Sequence, residues 1–87
     1  MVKNCQFVGG TYGIEFYSGA GNRATNNVAS GETQGFVSTG TDYFDSNYAD
    51  GCATGFNVSP ATKLRFNTTT NCDQGVSGGT SEFANDE

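Results

Sequence analysis

The chain has 87 residues, too few for more than one domain, and a domain of this size buries only about 60% of its unfolded surface, so its core must be economical. Nine acidic against four basic residues give a formal charge of −5, which opposes nucleic acid as a general partner, because phosphate contacts need clustered Lys and Arg. His is absent and the three Cys form no C-x-x-C pair, so no metal or other cofactor is expected, while seven Phe and four Tyr argue against a disordered chain.

Taken in chain order, the sequence repeats itself. Asn4 is followed nine residues later by Gly13 and the apolar Ile14; Asn27 is followed eight residues later by Gly35 and Phe36, Asn47 by Gly55 and Phe56, and Asn67 by Gly75 and Val76. Four residues before these glycines stand Gly9, Gly31 and Gly51, with Asn71 in the fourth copy, and three residues before the asparagines stand Met1, Ala24, Phe44 and Leu64, all apolar. A helical repeat would need apolar stripes of period 3.6, whereas these short alternating runs are broken by Gly and Asn as strands are. Three short strands fit each period. The expected fold is therefore all-β, a solenoid of about four 20–23-residue coils over residues 1–79, followed by a short acidic C-terminal tail over 80–87 in which Phe83 is the single apolar anchor.

Stacked coils lie about 4.8 Å apart, so a column of identical amides can pass hydrogen bonds from coil to coil. That gives Asn27, Asn47 and Asn67 a structural role. Gly35, Gly55 and Gly75 are expected to share it, by supplying positive φ where the chain turns between sheets. Cys52 and Cys72 each stand three residues before a ladder glycine and should stack on neighbouring coils, either as small buried thiols, the favoured reading, or as a disulfide. Cys5 is left over.

The repeat also sorts the charges. Arg23, Tyr43 and Lys63 form one outward column and Thr25, Asp45 and Arg65 the next, with Lys3 in the first copy, so all four basic residues lie on the strand leading into the Asn corner. One reading is a basic stripe that meets an acidic surface; the other is that Asp45 pairs with Arg65 one coil above and Tyr43 stacks on its basic neighbours. Tyr12, Tyr17, Tyr43 and Tyr48 are further candidates for holding a sugar or a protein. Asn67 also opens a glycosylation sequon, but as a ladder residue it is a poor acceptor. Before the acidic tail, Asp42, Asp45 and Asp50 are the only acids close together, and their opposite parities and the intervening corner do not stack any two of them as a hydrolytic pair.

With the apolar-x-x-Asn corner written as FDSN from Phe44 and LRFN from Leu64, residues 1–79 resemble the right-handed, single-stranded parallel β-helix of the pectin-lyase-like superfamily. Many members of that superfamily cleave acidic polysaccharides, so the resemblance admits a fragment of a lyase or glycoside hydrolase. The missing catalytic pair favours instead a non-enzymatic structural and attachment module. Exposed strand edges at both ends, without an amphipathic cap, are expected to pack against copies of the chain, another protein or the rest of a longer one. The resemblance to viral β-helices then implies a virion surface protein, such as a phage capsid-decoration or tail-spike component, extracellular or on the virion. It would be a homo-oligomer, with a trimer favoured, or would bind another virion protein, and a surface glycan is a further possible ligand. No run approaches the roughly 18 apolar residues of a membrane span, and MVKNCQFVGG lacks the apolar stretch of a signal peptide, so no membrane partner is expected.

Overall fold

Segments such as Tyr43–Phe44–Asp45 and Lys63–Leu64–Arg65 alternate outward and inward residues, the period of a half-buried strand. In the computed structural model, which describes residues 1–17, 20–78 and 80–81, these segments wind into a parallel β-solenoid of about four turns, with no helix among the described residues. The first coil carries β1 (Val2–Lys3), β2 (Gln6–Val8) and β3 (Tyr12–Phe16), and the second β4 (Ala20–Thr25), β5 (Val28–Ser30) and β6 (Gln34–Ser38). The third carries β7 (Thr41–Asp45), β8 (Tyr48–Asp50) and β9 (Thr54–Val58). The fourth carries β10 (Lys63–Arg65), β11 (Thr68–Thr70) and β12 (Gln74–Ser77), after which β13 (Thr80–Ser81) begins another turn beside β10. Strands one coil apart pair in parallel to give three sheets: β1-β4-β7-β10-β13, β2-β5-β8-β11 and β3-β6-β9-β12. The rest of the acidic tail, with Phe83, lies outside the described residues.

The core is a stack of inward residues, one layer per coil. Phe36 and Phe56 of the third sheet stack with ring centroids 4.7 Å apart, and Phe44 of the first sheet meets both edge-on at 5.9 and 6.0 Å. Phe16 stacks on Phe44 at 5.5 Å, and Ala24, Ala29, Ala49 and Leu64 complete the buried cluster. Small residues on the second sheet leave room for the phenyl rings of the third, which is how a chain this short fills its interior.

The corner between the first and second sheets is held by side-chain amides. Asn27 and Asn47 each donate the backbone N–H, at 3.0 and 2.9 Å, and the side-chain Nδ2, at 3.0 and 3.1 Å, to Oδ1 of the ladder Asn one coil on. The same Nδ2 groups reach back to carbonyls of the preceding coil, Asn27 to Val2 at 3.1 Å and Asn47 to Ala24 at 2.9 Å, as Asn67 does to Phe44 at 2.9 Å. All three amides are buried, so Asn67 is also no glycan acceptor in the folded chain.

Two sequence expectations shift by one residue in the first coil. The pairing of Val2 with Ala24 and Lys3 with Thr25 places Cys5, not Asn4, over Asn27, and the Cys5 N–H donates to Asn27 Oδ1 at 2.9 Å. Met1 is accordingly exposed and Val2 takes the inward position. Asn4 belongs instead with Asn26, Ser46 and Phe66, which precede the ladder residues at φ of 57°, 58°, 60° and 55°. Left-handed backbone is costly for Ser and Phe, and the flanking ladder hydrogen bonds are what fix it there.

The role given to the ladder glycines is also corrected. Gly13, Gly35, Gly55 and Gly75 are not in the positive-φ region; Gly9, Gly31, Gly51 and Asn71 supply that turn, at φ of 72°, 75°, 69° and 57°. Gly35 and Gly55 are glycine because of crowding: a Cβ on Gly35 would stand 2.7 Å from Gly55 O, and one on Gly55 2.6 Å from Thr69 Cγ2.

The third corner varies in length. Tyr12 pairs with Gln34 but Arg23 with Tyr43, so two extra residues lie between Phe16 and Arg23, with a register shift in β4. The first two corners keep their spacing because a ladder amide or a left-handed residue occupies each of them.

Phe56 has no exposed surface, so Phe56→Asp is expected to abolish the cooperative fold by burying an unpaired carboxylate. Circular dichroism with urea titration checks this, and a cooperatively folded Phe56→Asp chain would be incompatible with the register.

Candidate functional site

The first sheet turns its even positions inward and its odd positions outward around each ladder corner. Ala24, Phe44 and Leu64 are buried, while Arg23, Tyr43 and Lys63 line up on the outer face, with Lys3, Thr25, Asp45 and Arg65 in the parallel column. The structure thus brings all the outward residues of the stripe onto one face. Among the described residues that face holds four cations and one anion, Asp45, in a chain whose total charge is −5.

Within the face the charges are partly spoken for. Arg65 Nη2 lies 3.6 Å from Asp45 Oδ2, and Ser46 Oγ donates to Asp45 Oδ1 at 3.0 Å. The Arg23 guanidinium sits 5.3 Å from the Tyr43 ring centroid. A half-exposed ion pair contributes up to about 1 kcal/mol and a surface cation–π contact about 0.5–1 kcal/mol, so both steer side chains more than they hold the fold. The cations fall in two groups, Lys3 and Arg23 on the adjacent strands β1 and β4 and Lys63 and Arg65 on β10. Between them β7, which carries Asp45, sets the groups about 10 Å apart, beyond the roughly 8 Å screening length at physiological salt.

The three aspartates are not brought together. Asp42 points inward and is buried: Asn22 donates to its Oδ1 from both N and Nδ2 at 3.0 Å, Ser38 Oγ donates to its Oδ2, and Thr62 Oγ1 lies 2.9 Å from Ser38 Oγ. Thr62 donates on to Gly40 O at 2.9 Å, so Asp42 anchors the variable third corner. Asp45 points outward from the same strand, and Asp50 lies on the second sheet, where Asn71 Nδ2 approaches it at 3.4 Å. The tyrosines scatter likewise, with Tyr43 on the first sheet, Tyr48 on the second, Tyr12 on the third and Tyr17 after β3. Among the described residues no group of three or more His, Cys, Asp or Glu is placed to hold a metal ion, and no helix is long and apolar enough to cross a membrane.

Two buried carboxylates escaped the sequence reading. Asp42 shares inward parity with Phe44, a signal that was present but contrary to ordinary carboxylate preference. Glu32 follows the left-handed Gly31, occupies the column of Cys52 and Cys72, and is buried with Oε2 lacking a hydrogen-bond partner among the described residues. No family model, curated protein or solved structure matches the chain.

Burial pushes the Glu32 carboxyl above its ordinary value of 4.5, against smaller opposing hydrogen bonds from the backbone of Glu32 and Ser30. A raised folded value means Glu32 is harmless to stability below the unfolded value and costs stability as pH rises through the folded one. Glu32→Gln is therefore expected to raise the urea midpoint relative to the wild type at pH 7 and to lose that advantage below pH 4.5. Equal midpoints at both pH values would show that the carboxylate is solvated.

Proposed function

We propose that the chain is a non-enzymatic structural and attachment module, in which the coils form a rigid scaffold and the basic outer face of the first sheet makes the contact. The observation that carries this reading is the placement of Lys3, Arg23, Lys63 and Arg65 on one sheet face. Among the described residues, the acids that are neither buried nor on that face, Glu15, Asp50 and Asp73, lie on or beside the other two sheets. The charge segregation makes one copy's first sheet complementary to another copy's remaining faces, a heterologous contact that closes into a ring when its rotation allows, with a trimer favoured.

The finer assignment is a virion surface protein, such as a phage capsid-decoration or tail-spike component, with a second virion protein or a surface glycan as further partners. It is supported by resemblance to viral β-helices. A rigid scaffold suits display because little conformational entropy is lost when it binds.

Light scattering after size exclusion tests the contact. The chain is expected to associate at low salt and to dissociate as salt rises, and Arg23→Glu with Lys63→Glu is expected to weaken association at least about tenfold while leaving the circular dichroism unchanged. A folded double variant that associates as the parent does would reduce the stripe to a solvated face.

A further inference from the structure

Glu32, Cys52 and Cys72 occupy one column at the corner between the second and third sheets. The backbone keeps them in register, Ala53 N–H donating to Glu32 O and Asp73 N–H to Cys52 O, both at 3.3 Å. The two thiols repeat the same geometry one coil apart. Cys52 Sγ lies 3.8 Å from Ala29 O and Cys72 Sγ 3.8 Å from Ala49 O, and Ala29 and Ala49 are themselves register partners. Cα atoms at the interstrand spacing of about 4.8 Å fall inside the range of about 4.4–6.8 Å that a disulfide spans. Cβ atoms stacked in parallel stand about 4.8 Å apart, so closing the bond draws the two corners together by a few tenths of an ångström, to within about 4.5 Å, besides turning the side chains toward each other.

The pair is also chemically unequal. Cys72 is half-buried and reachable from solvent, whereas Cys52 is buried, with Glu32 Oε1 4.0 Å from its sulfur. Desolvation pushes the Cys52 thiol up, so it ionises only with help from a proton acceptor. Glu32 is such an acceptor through Oε1, and its burial with the other oxygen, Oε2, lacking a hydrogen-bond partner among the described residues is otherwise an unexplained cost.

We infer that Cys52 and Cys72 form a reversible disulfide across the third and fourth coils, with a low-molecular-weight disulfide such as oxidised glutathione as the oxidant. The Cys72 thiol loses its proton to solvent and the thiolate attacks the small disulfide, forming a mixed disulfide and expelling one glutathione thiolate, which takes up a proton from solvent. Cys52 passes its proton to the Glu32 carboxylate, and its thiolate attacks Cys72 Sγ. The Cys52–Cys72 bond forms, the second glutathione leaves as a thiolate, and the proton returns to it through Glu32 and solvent. Two protein thiols are oxidised and one small disulfide is reduced to two thiols. The product closes a ring from residue 52 to residue 72, one full coil that includes β9, β10 and β11 and therefore Lys63 and Arg65 of the basic face. Restricting that loop in the unfolded chain raises stability.

The test uses the full chain with Cys5→Ser, incubated with excess oxidised glutathione and followed by intact mass and peptide mapping. The expected product is a monomer lighter by two hydrogens, with one cross-linked peptide pair joining Cys52 to Cys72 and a raised urea midpoint that falls back on reduction. Adding Cys52→Ser is expected to stop the reaction with one glutathione on Cys72, and Glu32→Gln to slow closure so that the mixed disulfide accumulates. A parallel map of the unmodified chain guards against a folding defect in Cys5→Ser and should show the same pair. Two persistent free thiols, glutathione retained on Cys72, or dimers linked through Cys72 would overturn the assignment, and closure at the parent rate in Glu32→Gln would overturn the role of Glu32.

Discussion

The buried amides of Asn27, Asn47 and Asn67 form the constraint on which the rest of the solenoid depends. Oδ1 of Asn47 and of Asn67 each accepts two N–H groups from the ladder Asn of the coil before it, Asn27 Oδ1 accepts the Cys5 N–H, and each Nδ2 returns a bond to a carbonyl of the preceding coil. A strand that slipped by one residue would lose these bonds and turn its inward set to solvent, because side chains alternate with a period of two. In the first sheet the exchange would bury Arg23, Tyr43 and Lys63 and expose Ala24, Phe44 and Leu64. Register and surface charge are thus set by the same column. Left-handed turns at Ser46 and Phe66, which neither residue prefers, persist immediately beside it.

The aromatic stack and the amide column divide the work. Phe36, Phe44 and Phe56 are the largest fully buried side chains and meet in layered contacts, but phenyl rings alone tolerate small shifts. Buried amides do not, since an unpaired N–H or carbonyl costs about 1–3 kcal/mol. The third corner has no repeated amide and correspondingly varies in length, closed instead by a local network around Asp42, Ser38 and Thr62. Rigid coils on two corners and a freely varying third leave the outer faces as the positions where sequence can change without cost to the fold. The basic character of the first sheet lies at such positions, which is why it bears on contact more than on stability.

The repeat was legible from Asn27 onward because ladder asparagines and crowded glycines each demand one residue type at one separation. The first coil was harder to place because Asn4 and Cys5 are adjacent and Asn suits two columns. It favours the amide ladder and it tolerates left-handed backbone, and only strand pairing shows that Asn4 does the second. The ladder glycines were correctly located and wrongly explained, since a close approach and a positive φ select the same residue. Burial of Glu32 was not legible and that of Asp42 was signalled only by its inward parity, because a carboxylate enters a core only when partners or geometry permit, and for Asp42 these include Asn22 of the preceding coil. Outward columns carry no folding constraint of their own, so the sequence places the basic stripe while leaving its partner to chemistry.

The most direct measurement is hydrogen exchange of the folded chain by NMR, read at the backbone amides of Asn27 and Asn47. Both N–H groups donate to a neighbouring side chain, not to a backbone carbonyl. Any parallel sheet protects its strand amides, but only the amide ladder protects these two corner positions. The account predicts that they exchange as slowly as the amides of Phe36 and Phe56 in the core strands. Exchange as fast as that of exposed turn amides would contradict it, and would mean that the coils are held in register by the aromatic stack alone.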